Sequence, residues 1–236
     1  MIDYSKEQID KLVNDIYEGI ITVDNLPTDL TVAIFNKLFE AFSEMESKPS
    51  KALLTKLSEN LYLFSGAKVY SQINDISLLA ENEMIKSFKD FKAEALQIYE
   101  QYNVNWLKTE YDDTISQGQN VVRWEQIQEQ KKTLPYLQYS AILDSQTSEI
   151  CAPLDGITLP VDDPFWDINT PQNHYNCRCL LIQLDKEDAE VTDNDIAKEI
   201  NDQIQEVKNP YFNNNVGKLE QIFPDNHPYF IAQNGE

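Results

Sequence analysis

Residues 143–181 read LDSQTSEICAPLDGITLPVDDPFWDINTPQNHYNCRCLL, and this stretch decides how the chain is divided. It holds all three cysteines of the protein, Cys151, Cys177 and Cys179, and one of its two histidines, His174. Between them lie the Asp155-Gly156 turn signal, the acidic pair Asp162-Asp163 and the triplet Pro164-Phe165-Trp166. Little of it is periodic at 3.6 or at 2, so neither a long helix nor a run of plain strands accounts for it. Such a segment needs something other than amphipathic packing to fix its shape.

The chain before it has the opposite character. Ser5 and Gln8 have capping-box spacing ahead of Ile9, Leu12, Val13 and Ile16, and Gly19 is a natural stop, which predicts a helix over 5–18. Pro27 suits the first turn of a second helix with Leu30, Ile34, Leu38 and Phe42 at steps of four. A third carries Leu54, Leu57, Leu61 and Phe64, with a bend expected at Ser65-Gly66 before Val69, Ile73 and Ile76. Met84, Phe88, Phe91, Ala95 and Ile98 mark the next, pausing near Tyr102-Asn103. Val104, Leu107, Tyr111 and Ile115 follow, with Gly118 as the expected stop, and a last piece holds Val121, Val122 and Trp124. These stripes read as core. Residues 1–133 are thus expected to form a helical bundle or arm.

At Pro135 the pattern changes. Residues 136–143 look like a strand, 152–159 like a hairpin turning at Asp155-Gly156, and 177–184 like a further strand. Residues 185–208 carry nine acids against three lysines, with Ile196, Ile200 and Ile204 at helical spacing. The aromatic tail reads as a strap laid over this module. The fold class is therefore α+β, mainly helical at first and followed by a small β-containing module over 134–236.

Composition sets limits on function. The 236 residues suffice for a sizeable core, and no apolar run approaches the ~20 residues that span a bilayer. The acidic, amphipathic N-terminus does not read as a secretory signal, and three cysteines are too few for a disulfide framework, so a cytoplasmic, reducing compartment is expected. A net charge of −21 opposes sequence-independent DNA binding, which depends on Lys and Arg displacing counterions. It favours solubility or a basic partner.

Cys151, His174, Cys177 and Cys179 supply four donors of the kind zinc takes, in a His-x2-Cys-x-Cys cluster plus a distant cysteine. The spacing differs from that of standard fingers. On a straight strand Cys177 and Cys179 would share a face about 6.5–7 Å apart at Cα, so joint ligation requires a local curl. His227 is the reserve ligand. Two other readings stay open: small buried thiols with His174 hydrogen-bonded, or a disulfide from Cys151 to Cys177 or Cys179. Asp144, Asp155, Asp162 and Asp163 beside His174 raise the idea of a hydrolytic site. However, Asp155 is explained by its turn and Asp163 by capping the turn that Pro164 begins. No nucleophile triad, phosphate-binding glycine loop or zinc-protease motif is present, so no catalytic residue is assigned.

These residues resemble the Mu F-type minor head proteins of the phage head morphogenesis family. That family's signature runs from an aspartate and threonine through Cys-x-x-Leu-Asp-Gly to His-Pro-Asn-Cys-Arg-Cys. Here its elements are Asp144, Thr147, Cys151 with Leu154-Asp155-Gly156, and His174-Tyr175-Asn176-Cys177-Arg178-Cys179. Tyr175 stands where the family has proline, and Pro171 alone replaces the paired prolines before the histidine. Residues 60–68 and 102–111 look like the family's helical region, more loosely, so the resemblance covers roughly 55–184.

The resemblance implies a structural virion or prophage component that works with the portal protein and other head proteins. Its place would be the virion, or the host cytoplasm during assembly, with influence on DNA packaging or ejection and no enzymatic role. All four metal-capable positions match the family pattern. Mu F-type modules also occur in phage-carried toxin systems, which is the alternative; against it, the residues after 184 are too few for a sizeable extra domain.

Overall fold

Ser5 begins the first helix as its sequence asks. Its hydroxyl accepts from the Gln8 N–H at 3.3 Å, and Gln8 Oε1 accepts from the Ser5 N–H at 2.8 Å. The resulting helix α1 covers Lys6–Tyr17, and Gly19 ends it in the left-handed region at φ +70°. The computed structural model describes residues 2–82, 84–85 and 87–233. Over these residues the protein is mainly helical, with one small antiparallel sheet.

The chain forms two compact units, one of residues 1–44, 54–115 and 225–236, the other of residues 45–53 and 116–224. In the first, α2 (Thr28–Glu44) starts just after Pro27, whose carbonyl accepts from the Thr31 N–H at 3.2 Å. Helix α3 (Lys51–Leu78) runs unbroken through the expected bend. Ser65 satisfies its buried hydroxyl on the Leu61 carbonyl at 2.7 Å, and space around Gly66 is open, so neither residue interrupts the ladder.

Helix α4 (Phe88–Glu100) starts four residues later than its apolar spacing suggests. Ser87 caps it by accepting from the Asp90 N–H, which leaves Met84 outside and 83% exposed. The expected pause at Tyr102-Asn103 is a π-helical turn over Gln101–Trp106. Asn103 is buried there, donating to the Tyr99 carbonyl and to Gln72 Oε1, both at 3.1 Å. The core of this unit includes Leu12, Val13, Leu30, Ile34, Leu38, Leu57, Leu61, Phe64 and Phe91.

Helix α5 (Leu107–Gln130) continues through Gly118, contrary to the stop expected there. A Cβ at Gly118 would lie 2.9 Å from Met45 Sδ, so the glycine serves close packing rather than termination.

In the second unit, β1 (Tyr136–Ser140) is the central strand. It pairs antiparallel with β2 (Thr158–Pro160) on one side and β3 (Leu180–Leu184) on the other. Alternation turns Leu137 and Tyr139 inward, both fully buried. The free edge of β2 is closed by Thr192, whose N–H donates to the Thr158 carbonyl and whose hydroxyl accepts from the Thr158 N–H.

Three strand expectations are corrected here. The first strand ends at Ser140 rather than at residue 143. Residues 152–159 form no hairpin: Ala152–Leu154 is a 3-10 turn around Pro153, which lacks a ladder donor, and only β2 follows. Cys177 and Cys179 precede β3 instead of lying on it. Leu180 pairs with Ser140, the last residue of β1, so the cysteines have no strand partner.

Helix α6 (Asn194–Gln205) buries Ala197 and Ile204 and leaves Ile196 in solvent. The tail then runs through a 3-10 turn at Pro210–Phe212 and the short helix α7 (Val216–Leu219), burying Tyr211, Phe212, Ile222 and Phe223 in this unit. Residues 225–233, with α8 (Pro228–Gln233), belong to the first unit. Gly217 in α7 lies against Trp124, where an added Cβ would sit 2.2 Å from Trp124 Cβ. Gly217→Ala is therefore expected to cost about 1–3 kcal/mol through overpacking. Denaturant unfolding read by tryptophan fluorescence checks this, and unchanged stability would refute the close approach.

Candidate metal centre

The loop that carries Cys151 is fixed before the thiol enters. Asp144 and Thr147 build a tight turn: the Thr147 hydroxyl accepts from the Asp144 N–H at 2.7 Å and donates to the Ile142 carbonyl, while Asp144 Oδ1 accepts from the Gln146 N–H. Asp144 then grips Arg178, the residue between two cysteines, through two contacts of 2.8 and 2.9 Å. Its hydrogen bonds from Arg178, then from the Gln146 amide, hold its carboxyl down to about 2. The aspartate and threonine of the motif thus orient the Cys-Arg-Cys segment.

The Asp155-Gly156 pair closes the end of β1. Asp155 Oδ1 accepts from the Ala141 N–H at 2.8 Å, and the Gly156 N–H donates to the Tyr139 carbonyl at 2.9 Å with φ +79°. Asp163 caps the 3-10 turn at Pro164–Asp167 by accepting from the Phe165 N–H, and Trp166 inside that turn is fully buried.

His174 and Cys177 are brought together by a β-turn. The Cys177 N–H donates to the His174 carbonyl at 3.2 Å, and Asn176 between them has φ +59°. A positive φ at the third position is the mark of a type II turn, which favours proline second and glycine or asparagine third. Asn176 meets the second demand. Tyr175 replaces the proline of the family pattern, and its ring packs on Tyr211 and Phe212 at centroid distances of 6.2 and 5.0 Å.

Cys151, His174 and Cys177 each offer a donor atom, all within 4.8 Å of one another, and so could hold a metal ion. Cys151 Sγ lies 3.7 Å from Cys177 Sγ. Two sulfurs bound to one tetrahedral zinc at ~2.3 Å lie ~3.8 Å apart, so the donors fit that ion. Cys179, the fourth expected donor, is buried two residues beyond Cys177 but is not part of that three-donor group. All three cysteines are free, so the disulfide alternative is not taken. His174 Nδ1 lies 2.8 Å from the Tyr175 carbonyl, and as a donor there it leaves the Nε2 lone pair for a metal.

The thiols share negative charge unequally. Interaction with Cys151 and then Cys179 draws the Cys177 thiol down, and interaction with Cys151 and then Cys177 pushes Cys179 well above the ordinary thiol range.

Behind the thiols stands a buried polar relay that sequence reasoning missed. The Tyr139 hydroxyl lies 3.4 Å from Cys151 Sγ, and burial raises its pKa well above that of a free tyrosine, so it remains a donor. Asn173 Nδ2 donates to Tyr139 Oη at 2.9 Å, and Lys208 Nζ donates to Asn173 Oδ1 at 2.6 Å. Burial pulls the Lys208 ammonium down to about 8, against the opposing charge on Cys151 and Cys177. Only the position of Asn173 beside His174 signals this relay in the sequence. His227, the reserve ligand, is in the first unit. There its ring packs 4.9 Å from Phe64 and 4.8 Å from Tyr229, and burial depresses it to about 3.

Comparison with known proteins covers the same stretch. Residues 80–182 match the family model described as Phage Mu protein F like protein. Over 78 residues the chain is 33% identical to the "Putative capsid assembly protein F" of Escherichia phage Mu, covering 33% of this chain and 18% of that protein. No solved structure matches. The resemblance read from the cysteine motif is therefore shown: over residues 80–182, which contain Cys151, His174, Cys177 and Cys179, this chain carries a Mu protein F-like region.

Proposed function

We propose that this chain is a structural minor head protein of a phage or prophage, acting in head morphogenesis through contacts with the portal and other head proteins. Its work there bears on DNA packaging or ejection and requires no catalysis of its own. The observation that carries the reading is the Mu protein F-like match over 80–182, spanning the whole thiol cluster. The capsid-assembly name of the phage Mu relative supports the same direction. Among the described residues no helix is long and apolar enough to cross a membrane, in keeping with a partner set made of head proteins. We further propose that zinc on Cys151, His174, Cys177 and Cys179 ties the Cys151 loop to the segment leading into β3. Its chemistry would be structural: four donors from two distant stretches held on one centre.

Purified procapsids and virions should contain the protein at a low copy number relative to the main capsid protein. Absence from both particles would end this reading. Duplex DNA should not be retained at physiological salt, because the −21 net charge repels the phosphate backbone. A micromolar dissociation constant that weakens steeply with salt would contradict that expectation.

A further inference from the structure

Lys208 follows α6, and its side chain is buried, with 3% of the residue exposed. The ammonium donates to the Ile168 carbonyl and to Asn173 Oδ1, both neutral acceptors. Among the described residues no carboxylate stands within ion-pair distance of it. The chain has 40 acidic residues, so a buried lysine that meets none of them needs another source of negative charge. What it reaches instead is the cysteine cluster. Asn173 connects it to the Tyr139 hydroxyl, and that hydroxyl reaches Cys151 Sγ, so an unbroken line of polar contacts runs from the ammonium to the cluster.

Charge counting gives this line a purpose. With Cys179 drawn in to complete the set, zinc bound by three thiolates and one neutral imidazole keeps one net negative charge, and Cys151 and Cys179 are both buried. A buried charge is costly unless an opposite one accompanies it. We propose that Lys208 is the countercharge of the metal–thiolate cluster, its ammonium steered by Ile168 and Asn173 so that lysine and cluster together are neutral. The inference rests on the zinc reading above and assigns a role to a residue outside the ligand set. Lysine and metal then favour each other: without the ion the ammonium is buried at a loss, and with it the same burial is favourable.

A lysine acting only as a strut between α6 and the 168–173 loop would behave differently. Its loss would weaken the metal-free and metal-loaded protein alike and leave affinity for the ion unchanged. The test uses the full chain, with zinc as the probe in chelator competition and melting recorded with and without chelator. For Lys208→Met we expect zinc affinity to fall about tenfold or more, the scale of losing a supporting outer-shell group. Its metal-free melting temperature should be no lower than that of the parent.

Lys208→Arg keeps the charge and should retain most of the affinity. In a Cys179→Ser background, where one thiolate charge is already gone, adding Lys208→Met should cost nothing further. If Lys208→Met does not fold, Lys208→Gln makes the same comparison with a hydrogen-bond donor kept. Unchanged affinity in the Met or Gln variant, with zinc bound by the parent, would overturn the countercharge and leave the metal reading standing. A parent chain that binds no zinc would overturn both.

Discussion

Cys177→Ser is expected to abolish stoichiometric zinc in protein purified without added metal and to lower the melting temperature by about 10–20 °C. The size of the effect decides between the readings of the cluster. A structural zinc contributes folding free energy outright, with apparent values of about 10–16 kcal/mol in small zinc modules. Losing even ~5 kcal/mol of that moves the midpoint of a chain this long by about 10–20 °C. If Cys177 were only a packed thiol, serine in its place would cost on the order of 1 kcal/mol, the centre of ordinary substitutions. The 3.7 Å sulfur separation alone does not separate the two cases, since packed thiols also approach that closely. The imidazole within 4.8 Å of both sulfurs is what packing alone leaves unexplained. Chelation of the parent should reproduce the mutant's behaviour and be reversed by zinc. Negligible zinc in the parent, together with unchanged melting of Cys177→Ser, would leave the cysteines as ordinary core residues.

The helices were legible because their causes are local. The Ser5–Gln8 box, the Pro27 start and the stripe of Leu57, Leu61 and Phe64 each act within a few turns and stand where their spacing puts them, though Leu53 rather than Leu54 is buried at the head of that stripe. The errors occurred where a residue's meaning depends on something distant in sequence. Gly118 reads as a stop until Met45 is found against it. Cys177 and Cys179 read as strand residues because strand length is set by the partner, and β1 ends at Ser140.

Three donors of the candidate centre, Cys151, His174 and Cys177, were visible from residue chemistry and spacing, and the turn that gathers two of them was half visible in Asn176. Its support was not visible. Tyr139 lies within an expected strand and Lys208 is one of three lysines in an acidic run, and neither position signals a link to the cysteines. Only the fold joins them through Asn173.

The first unit offers a second large effect, at a pair with no part in the metal centre. Lys68 is fully buried, and its ammonium meets Glu110 Oε1 at 2.8 Å and the Tyr229 hydroxyl at 3.3 Å. Tyr229 Oη also donates to Glu110 Oε1 at 3.0 Å, so one hydroxyl of α8 closes the triad. Burial pushes the Glu110 carboxyl up and the Lys68 ammonium down, and each charge resists the other's shift. Lys68→Met should therefore cost about 3–5 kcal/mol at neutral pH, because it strands Glu110 without its cation. In that variant Glu110 escapes by taking up a proton, which fixes the pH dependence. A carboxyl raised in the folded state contributes its stability fully below the unfolded value of ~4.3 and loses it as pH rises through the folded value. The deficit of Lys68→Met relative to the parent should accordingly be smallest near pH 4 and grow toward neutrality. Lys68→Met combined with Glu110→Leu should recover most of the loss, because no buried charge then stands alone. Urea unfolding of the three variants between pH 4 and 7 measures all of this. A deficit below ~1 kcal/mol that does not change with pH would mean the pair is hydrated in solution rather than buried.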